Sequence, residues 1–259
     1  MIDIHNHIVY GVDDGSKSLD ESLKMVDIFM ENGFTDIIAT SHYDPGRYMV
    51  KASEINDKVK VLNEEVKKRG LDFKIYRGHE IQIQPDSLKK IKEGKLLKLN
   101  DSRYILLELS FLNKPTFLKD LIYNIGLEGL IPIIAHAERY PYVEKNIDYL
   151  LEFIKMGALI QANYSSIRSH RDTLTELLMR NMVHILATDS HQAVWRSPNI
   201  GDYKKEIADI IGDEKLEVLS TMNPKKVLED EFLSSSYDHI IKAEDKPKKR
   251  SIFSFWRKK

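Results

Sequence analysis

Histidine and acidic residues follow several apolar runs of this sequence at the point where each run ends. His5 and His7 close the first run, the second leads into Ser41 and His42, and Asp189 and His191 follow the last. Alternate residues of a strand point to the same side, so His5 and His7 can bind one metal ion together. Neutral imidazole and carboxylate groups are ligands that suit zinc, manganese or iron. The spacing therefore predicts a metal site at the ends of strands.

Further residues of the same types extend this set. Glu80 follows the third apolar run, Glu108 lies inside the fourth, and His136 follows the fifth. An unpaired buried carboxylate is costly, so the position of Glu108 within YILLELS indicates that a cation lies nearby. Because one carboxylate can bridge two ions of a paired-metal site, Glu80 and Glu108 are candidates for that role. Asp13 and Asp14 compete for one further role, and their spacing does not choose between them.

Some chemically capable residues receive a structural interpretation instead. His79 directly precedes Glu80 and should point to the opposite side of a strand, so we leave it out of the site. His184 lies inside the last apolar run, where packing or a hydrogen bond is expected. Asp3 receives at most a supporting role behind the ligands. Three aromatic residues follow the metal motifs and could line the mouth of the site: Tyr43, Tyr140 and Trp195.

Two arginines lie just beyond metal motifs. Arg139 follows His136 by three residues, and Arg196 follows His191 by five. Arginine presents a fork of donors that matches the oxygens of a phosphate group. We therefore predict Arg139 and Arg196 as catalytic and substrate-binding residues for a phosphorylated substrate, although each one taken singly could form a surface salt bridge.

The elements that must position these residues alternate along the chain. Seven strand-like runs occupy Ile2–His5, Asp36–Thr40, Phe73–Arg77, Tyr104–Leu109, Ile131–Ala135, Ala158–Ala162 and Val183–Thr188. Helical patterns lie near residues 19–32, 53–69, 86–93, 116–128, 146–156 and 171–181, and terminal helices are expected between 202 and 232. This alternation predicts an α/β fold, a distorted (β/α) TIM-like barrel of about seven parallel strands. An open doubly wound sheet is the alternative. In a barrel the carboxyl ends of the strands share one face, where active sites lie.

Residues 1–233 are expected to form the barrel domain and residues 234–259 a C-terminal tail. The segment 246–259, KPKKRSIFSFWRKK, contains seven basic residues and no acidic residue. Such a segment could dock on an anionic membrane surface, and a solvated flexible end is the alternative. Without this segment the chain is net acidic, which does not favour a nucleic acid as partner.

The composition excludes several classes of site. The chain contains no cysteine, so it has no disulfide, no thiolate metal site and no cysteine nucleophile. No apolar run approaches the roughly 20 residues that a membrane span needs. The N-terminal residues lack the pattern of a secretory signal, so a cytoplasmic location is expected, with the inner face of the membrane as an option.

Taken together, these motifs resemble the polymerase and histidinol phosphatase (PHP) superfamily. The resemblance is strongest to the manganese-dependent protein-tyrosine phosphatases of bacterial capsule and exopolysaccharide loci. The segments that carry it are MIDIHNHIVYGVDDGSKS, IIATSHY, GHEI, LNDSRYILLELS, PIIAHAERY and HILATDSH, together with Arg196. They extend from Met1 to about Arg196, and they are specific in combination rather than singly.

The resemblance implies a cluster of three divalent metal ions, manganese in the first place, with iron, cobalt or zinc as alternatives. One site would consist of His5, His7, Glu80 and Asp189. Glu80 would bridge to a second site completed by Glu108 and His136. Asp14, His42 and His191 would hold the third ion. Arg139 and Arg196 would bind the phosphoryl group.

The resemblance also implies a substrate, the phosphotyrosine tail of a membrane-associated tyrosine autokinase that controls polysaccharide export. Two other functions remain open from the sequence. One is hydrolysis of histidinol phosphate or another small phosphomonoester, which calls for a closed pocket where a kinase tail calls for an open groove. The other is a metal-stabilised binding module without catalysis. The complete ligand set and the two arginines argue against the second.

Overall fold

The structure, a computed structural model, describes residues 1–241 and consists of a barrel of strands surrounded by helices. The strands are β1 (Ile2–Asn6), β2 (Asp36–Asp44), β3 (Tyr48–Met49), β4 (Lys74–Gln82), β5 (Tyr104–Glu108), β6 (Ile131–Ile134), β7 (Leu159–Asn163) and β8 (Ile185–Ala187). Seven of them are parallel in the order β1-β2-β4-β5-β6-β7-β8, and β3 pairs with β2 in the antiparallel sense. The prediction of a seven-stranded parallel α/β barrel is therefore confirmed.

The barrel closes between β1 and β8 through a small number of hydrogen bonds. One bridge joins Asn6 and Ser190, and the amide of His7 donates to the carbonyl oxygen of Ser190 at 2.8 Å. The carboxylate of Asp3 accepts hydrogen bonds from the amide and the hydroxyl of Thr188 at 2.7 and 3.0 Å. This closure excludes the open doubly wound sheet. It also brings the first and last metal motifs of the sequence together, because both lie at this seam.

Eleven α-helices in the described residues cover the barrel. They are α1 (Leu19–Glu31), α2 (Ala52–Lys68), α3 (Ser87–Lys92), α4 (Leu118–Leu127), α5 (Pro141–Lys145), α6 (Leu151–Lys155), α7 (Ser166–Ser169), α8 (Arg171–Met179), α9 (Gly201–Ile211), α10 (Asp213–Glu217) and α11 (Asn223–Leu228). The helix expected over 146–156 divides into a 3-10 turn, Ile147–Leu150, and α6. Among residues 1–241, no helix combines the length and the apolar character needed to cross a bilayer.

Strand residues alternate between the barrel interior and the helical layer. Tyr104 and Leu106 belong to the smaller, inner apolar cluster, and Ile105 and Leu107 belong to the larger cluster shared with the helices. The two-residue period then places Glu108 on the inner face, above Leu106. A carboxylate therefore enters the interior at the carboxyl end of β5.

A register shift in β1 is the local feature that aims both of its histidines inward. Ile2 and Ile4 belong to the inner cluster, but the pairing with β2 shifts by one residue between Asp3 and Asn6. Such a bulge reverses the alternation of sides, so His5 and His7 can face the interior above Ile4. Asp3 does not reach the ligands: its carboxylate bonds to Asn6 and to Thr188 at the seam.

Part of the segment assigned to the tail packs against the barrel. His184 donates from Nε2 to the carbonyl oxygen of Ser235, and the amide of Ile241 donates to the carbonyl oxygen of Arg180 at 3.1 Å. Ile240 is buried. The remaining tail, including the basic segment 246–259, lies outside the described residues.

Candidate metal centre

Nine side chains meet inside the carboxyl end of the barrel. They are the five histidines and four carboxylates that the motifs predicted as ligands: His5, His7, Asp14, His42, Glu80, Glu108, His136, Asp189 and His191. They come from six strands or the residues that follow them, so the fold brings together groups from His5 to His191 of the chain. Most of them are fully buried, whereas Asp14 and His42 reach the surface in part.

Glu80 lies at the centre of the cluster. Its Oε2 is 3.3 Å from His5 Nε2, 3.2 Å from His7 Nε2 and 3.0 Å from His42 Nδ1. Its Oε1 is 2.8 Å from His136 Nε2. Burial alone would raise the pKa of Glu80, but His5 and His42 hold it well below its ordinary value. The two oxygens thus face different histidines, which is the arrangement that a bridging carboxylate requires.

Asp189 and Asp14 occupy the side of the cluster next to the barrel seam. Asp189 Oδ1 is 3.5 Å from the Nε2 atoms of both His5 and His7. Asp14 Oδ1 is 3.5 Å from the Nε2 atoms of both His42 and His191. Asp189 therefore faces two imidazoles from the end of β1, whereas Asp14 faces two imidazoles from distant parts of the chain.

Glu108 faces the cluster from β5. Its Oε1 is 3.6 Å from His136 Nε2, and its Oε2 is 4.0 Å from His42 Nδ1. Burial, followed by the negative charges of Glu80 and Asp189, raises the pKa of Glu108 to about 9. A cation between these carboxylates would reverse this effect.

The donor set fits divalent metal ions. Four compact groups have ligand atoms within 4.8 Å of one another: His7, Asp14, His42 and His191; His5, His136 and Asp189; His5, His7 and Glu80; and His42, Glu80 and Glu108. Buried polar atoms usually have a hydrogen-bond partner. Here six that face the cluster have none among the described residues: His5 Nε2, His7 Nε2, Asp14 Oδ1, His42 Nδ1, Glu80 Oε2 and His191 Nε2. Nitrogen and oxygen donors of this kind suit manganese, iron, cobalt or zinc.

The grouping differs in detail from the partition that the resemblance implies. His7 lies with Asp14, His42 and His191 as well as with His5 and Glu80, and Glu108 lies with His42. Glu80 belongs to two groups, which agrees with the bridging role expected for it. The same nine residues make up these groups; their role as ligands and their division among ions are both proposals.

Residues behind the ligands fix the histidine rings. His5 donates from Nδ1 to Gln161 Oε1 at 3.0 Å, and His7 donates from Nδ1 to Asp13 Oδ2 at 3.0 Å. In both rings this leaves the lone pair of Nε2 directed at the cluster. The sequence left Asp13 and Asp14 open, and the structure separates them: Asp13 holds His7, whereas Asp14 faces the cluster.

The loop that carries these acidic residues lies very close to β1. A Cβ atom on Gly15 would lie 2.2 Å from the carbonyl oxygen of His7 and 2.9 Å from Asp13 Oδ1. Only glycine therefore fits beneath His7, and the VDDG motif has a packing reason as well as a chemical one.

Arg139 and Arg196 converge on the other oxygen of Asp189. Each donates to Asp189 Oδ2 at 2.7 Å, and Asn163 donates to the same atom at 2.9 Å. Both guanidinium side chains are about one third exposed (30% and 29%), so they line the open side of the cluster. The two arginines thus place partly exposed cationic groups beside the cluster.

Three site residues hold unusual backbone conformations. His136, Asp189 and Arg196 have φ of 32°, 49° and 52°, in the left-handed region that residues other than glycine rarely adopt. Strain of this kind is found where the surrounding structure imposes a functional geometry.

Aromatic side chains line a cavity of about 170 Å³ over the cluster. Tyr48 stacks on His42 with ring centroids 5.7 Å apart, and Phe111 stacks on His136 at 5.6 Å. Arg139 lies over the Phe111 ring at 5.5 Å. Sequence reasoning missed both aromatic residues, and it missed Gln161 and Asn163. The alternation of LIQAN in β7, where two amides share the inner face, is a signal that could have identified the last two.

The aromatic residues expected at the mouth behave differently from one another. Tyr43 and Tyr140 are buried, and Tyr140 accepts a hydrogen bond at its hydroxyl from the amide of Leu109. Trp195 is 70% exposed. His79 points away from the cluster, as expected, and bonds to the backbone of Val50 and Leu97.

Comparison with known proteins gives one consistent result. A family model described as "Capsular polysaccharide synthesis, CpsB/CapC" matches residues 1–229. A Staphylococcus aureus protein named CapC is 36% identical over 198 residues, which are 74% of this chain and 77% of that protein. The tyrosine-protein phosphatase CpsB of Streptococcus pneumoniae is 32% identical over 243 residues, 90% of this chain and all of that protein.

A solved structure also matches closely. It belongs to a study of YwqE from Bacillus subtilis and CpsB from Streptococcus pneumoniae, described as unique metal-dependent tyrosine phosphatases. It superposes with a TM-score of 0.86 at 28% identity and covers 90% of this chain and 96% of its own. The likeness therefore extends over most of both chains.

Proposed function

Because the chain belongs to the CpsB/CapC family of capsular polysaccharide synthesis proteins, we propose that it is a metal-dependent protein-tyrosine phosphatase. The observation that carries this proposal is the cluster of nine imidazole and carboxylate ligands beside two arginines. The chain has no cysteine, so it cannot form a phosphocysteine intermediate. Hydrolysis without a covalent intermediate on the enzyme is the reaction that such a site supports.

We propose that the cluster holds three divalent ions, manganese in the first place. The ligands are the nine residues His5, His7, Asp14, His42, Glu80, Glu108, His136, Asp189 and His191. Ions bound there would supply positive charge to the phosphoryl oxygens and would make a coordinated water more acidic. The six buried polar atoms without a partner support this proposal, because each would gain a ligand bond.

Arg139 and Arg196 bind the phosphoryl group in this proposal. Their guanidinium groups already meet at one oxygen of Asp189 and remain partly exposed, so they can donate further hydrogen bonds to phosphoryl oxygens. Fixed cationic donors stabilise the charge of a phosphoryl transition state without reorganisation.

Tyr48 and Phe111 give the cavity an aromatic wall on either side of Glu108. They stack on His42 and His136, which face the two different oxygens of that carboxylate. A phenol ring can pack against such side chains. Tyrosine is also a good leaving group, since its pKa is about 10, so the reaction needs less help from a general acid than an alkyl ester would.

The partner is proposed to be a tyrosine kinase of the capsule or exopolysaccharide system, with its phosphotyrosine tail as the substrate. Membership of a capsular polysaccharide family supports this choice. We further propose that residues 246–259 bring the enzyme to an anionic membrane surface at the cytoplasmic side, on the basis of their seven basic residues and three aromatic ones. Co-sedimentation with anionic liposomes that persists after deletion of 246–259 would contradict that role.

The test of the function is hydrolysis of a phosphotyrosine peptide, with manganese and with a chelator, beside a phosphoserine peptide and histidinol phosphate. We expect metal-dependent release of phosphate that is largely confined to phosphotyrosine. A higher kcat/KM for histidinol phosphate would instead make the protein a small-molecule phosphatase with the same metal centre. No phosphatase activity in the manganese-loaded protein would favour a binding module.

A further inference from the structure

The cavity over the metal cluster, here called the central cavity, shares part of its lining with a larger groove. This groove has a volume of about 800 Å³ and lies between the loop that follows β8 and helices α1 and α9. It shares Asp189 and Arg196 with the central cavity, so the proposed phosphate-binding arginine borders both hollows. We call it the tryptophan groove, because Trp195 lines it.

The central cavity also borders a second groove. A groove of about 370 Å³ lies between the residues that follow β4 and those that follow β5, and it shares Gln82 with the central cavity. We call it the glutamine groove. It shares Phe117 in turn with a hollow of about 260 Å³ between α3 and α4. The central cavity thus has a groove adjoining it on the β8 side and another on the β4 side, and we call the central cavity and these two grooves together the trench.

The tryptophan groove carries exposed apolar side chains beside the site. Val194 and Trp195 are 92% and 70% exposed, although they directly precede Arg196. Isolated exposed apolar residues are ordinary, but an exposed tryptophan at the edge of a groove is the type of side chain that anchors a bound polypeptide. Trp195 makes no hydrogen bond from its indole to any described residue, so its N–H group remains available to a ligand.

The glutamine groove offers polar groups without internal partners. The side-chain amides of Gln82 and Gln84 are half-buried, and within residues 1–241 neither makes a hydrogen bond. A primary amide has two donor hydrogens and an acceptor oxygen, so it can pair with both the N–H and the C=O group of an extended backbone. Such groups recognise a main chain rather than a particular side chain.

We propose that this trench binds an extended polypeptide on both sides of the phosphotyrosine, with Trp195 contacting one flank and Gln82 and Gln84 the other. The proposal rests on the proposed function and adds the form of its substrate. A small phosphate ester would occupy only the central cavity of about 170 Å³ and would leave both grooves without a role. An unfolded segment of a phosphorylated protein, by contrast, can follow the trench in either direction.

The experiment uses the full chain loaded with manganese and four substrates that share one leaving group. They are N-acetyl phosphotyrosine amide and alanine-based peptides with a single phosphotyrosine, extended on the N-terminal side, on the C-terminal side, or on both. We expect each flank to raise kcat/KM and both together to raise it by about 10-fold or more over the blocked amino acid. Equal kcat/KM for all four substrates would overturn the proposal while leaving the phosphatase activity intact.

Variants test the two flanks separately. Trp195→Ala should reduce the gain from one flank, and Gln84→Ala the gain from the other, chiefly through KM. Phe232→Ala is the matched control, because Phe232 is 67% exposed but lies beside the start of β5, where its neighbours Glu231 and Leu233 bond to the Tyr104 hydroxyl. This control should keep the full gain.

A Trp195→Ala variant that loses the same factor on all four substrates would show that Trp195 acts on Arg196 instead of on the peptide. If no phosphotyrosine substrate is hydrolysed, the proposed function itself fails.

Discussion

Two kinds of buried histidine occur in this barrel, and they differ in the direction of their ring nitrogens. His79 and His184 use both nitrogens on the backbone: each accepts from an amide at Nδ1 and donates to a carbonyl oxygen from Nε2. His5 and His7 donate from Nδ1 to a side-chain oxygen and direct Nε2 at the cluster, where it has no hydrogen-bond partner among the described residues. We call the first pair the framework histidines and the second kind the cluster histidines.

The difference arises from strand periodicity rather than from burial. His79 and Glu80 are neighbours on β4, both nearly inaccessible to solvent, yet they serve opposite faces of the strand. Glu80 enters the interior and meets four histidines, whereas His79 enters the helical layer and connects β4 to Val50 and Leu97. A buried histidine is therefore a ligand candidate only if one nitrogen remains free after the other has been fixed.

The largest effect should come from replacing Glu80, the residue of β4 that faces the cluster. Glu80→Gln preserves the shape of the side chain but removes the negative charge that faces His5, His7, His42 and His136. We expect metal content to fall and activity to fall by more than the roughly 100-fold that is typical for residues behind the ligands. Metal analysis of the purified variant and hydrolysis of a phosphotyrosine peptide would measure both.

The matched control for this change is His79→Gln. It removes hydrogen bonds to Val50 and Leu97, so it should lower the free energy of unfolding by about 1–3 kcal/mol. Metal content and activity should stay close to those of the unchanged protein. Loss of metal in His79→Gln equal to that in Glu80→Gln would erase the distinction between framework and cluster.

Arg139 and Arg196 belong to neither kind: they contact a carboxylate of the cluster but are not proposed as metal ligands. Arg139→Ala removes one of three donors to Asp189 Oδ2, and Arg196 and Asn163 remain. We expect activity to fall by about 10²- to 10³-fold, as for the loss of one donor to a transition state, while metal content is retained. Equal loss of metal and activity would contradict the phosphate-binding role.

Periodicity explains how much of this arrangement the sequence could predict. Each of the seven apolar runs corresponds to a strand, and the alternation of sides along β4 correctly predicts that His79 lies outside the site. The predicted C-terminal ends of β2 and β4 are wrong. Both strands continue through polar residues such as His42 and Glu80 and end at Asp44 and Gln82. A search for apolar runs stops where the functional residues begin.

Other features depend on contacts between distant parts of the chain. β3 has two residues, too few for any period, so its Tyr48 could not be located. Phe111 lies in the loop after β5, where side-chain direction is not set by a repeating pattern. The choice between Asp13 and Asp14 needs the position of His42, whose amide donates to Asp13 Oδ2 at 3.0 Å. These details require tertiary structure.

A smaller effect should follow from weakening the support of one cluster histidine. Asp13→Asn replaces the carboxylate that accepts from His7 Nδ1 and from the amide of His42. We expect metal affinity to fall by about 10- to 100-fold, as for other groups that orient ligands. Asp27→Asn is the control, since Asp27 pairs with Arg69 on the surface and should leave metal affinity unchanged. Calorimetric titration of the metal-free proteins with manganese would compare them, and an unchanged affinity in Asp13→Asn would mean that the ring of His7 needs no such support.

The smallest effect concerns a framework histidine and should appear only as a pH dependence of stability. Burial lowers the pKa of His184 to about 4, from an ordinary value near 6.5. Between these values the unfolded chain binds a proton that the native ring does not, so the stabilisation is complete above pH 6.5 and is lost as the pH falls towards 4. From pH 7 to pH 5 the loss amounts to about 2 kcal/mol.

Denaturant unfolding of the unchanged protein and of His184→Gln, in the same buffers with chelator, isolates this contribution because the titration of the cluster is common to both. The difference in unfolding free energy between the two proteins should shrink as the pH falls. A constant difference would mean that the ring of His184 is not held neutral by its burial, and that the framework histidines differ from the cluster histidines in hydrogen bonding alone.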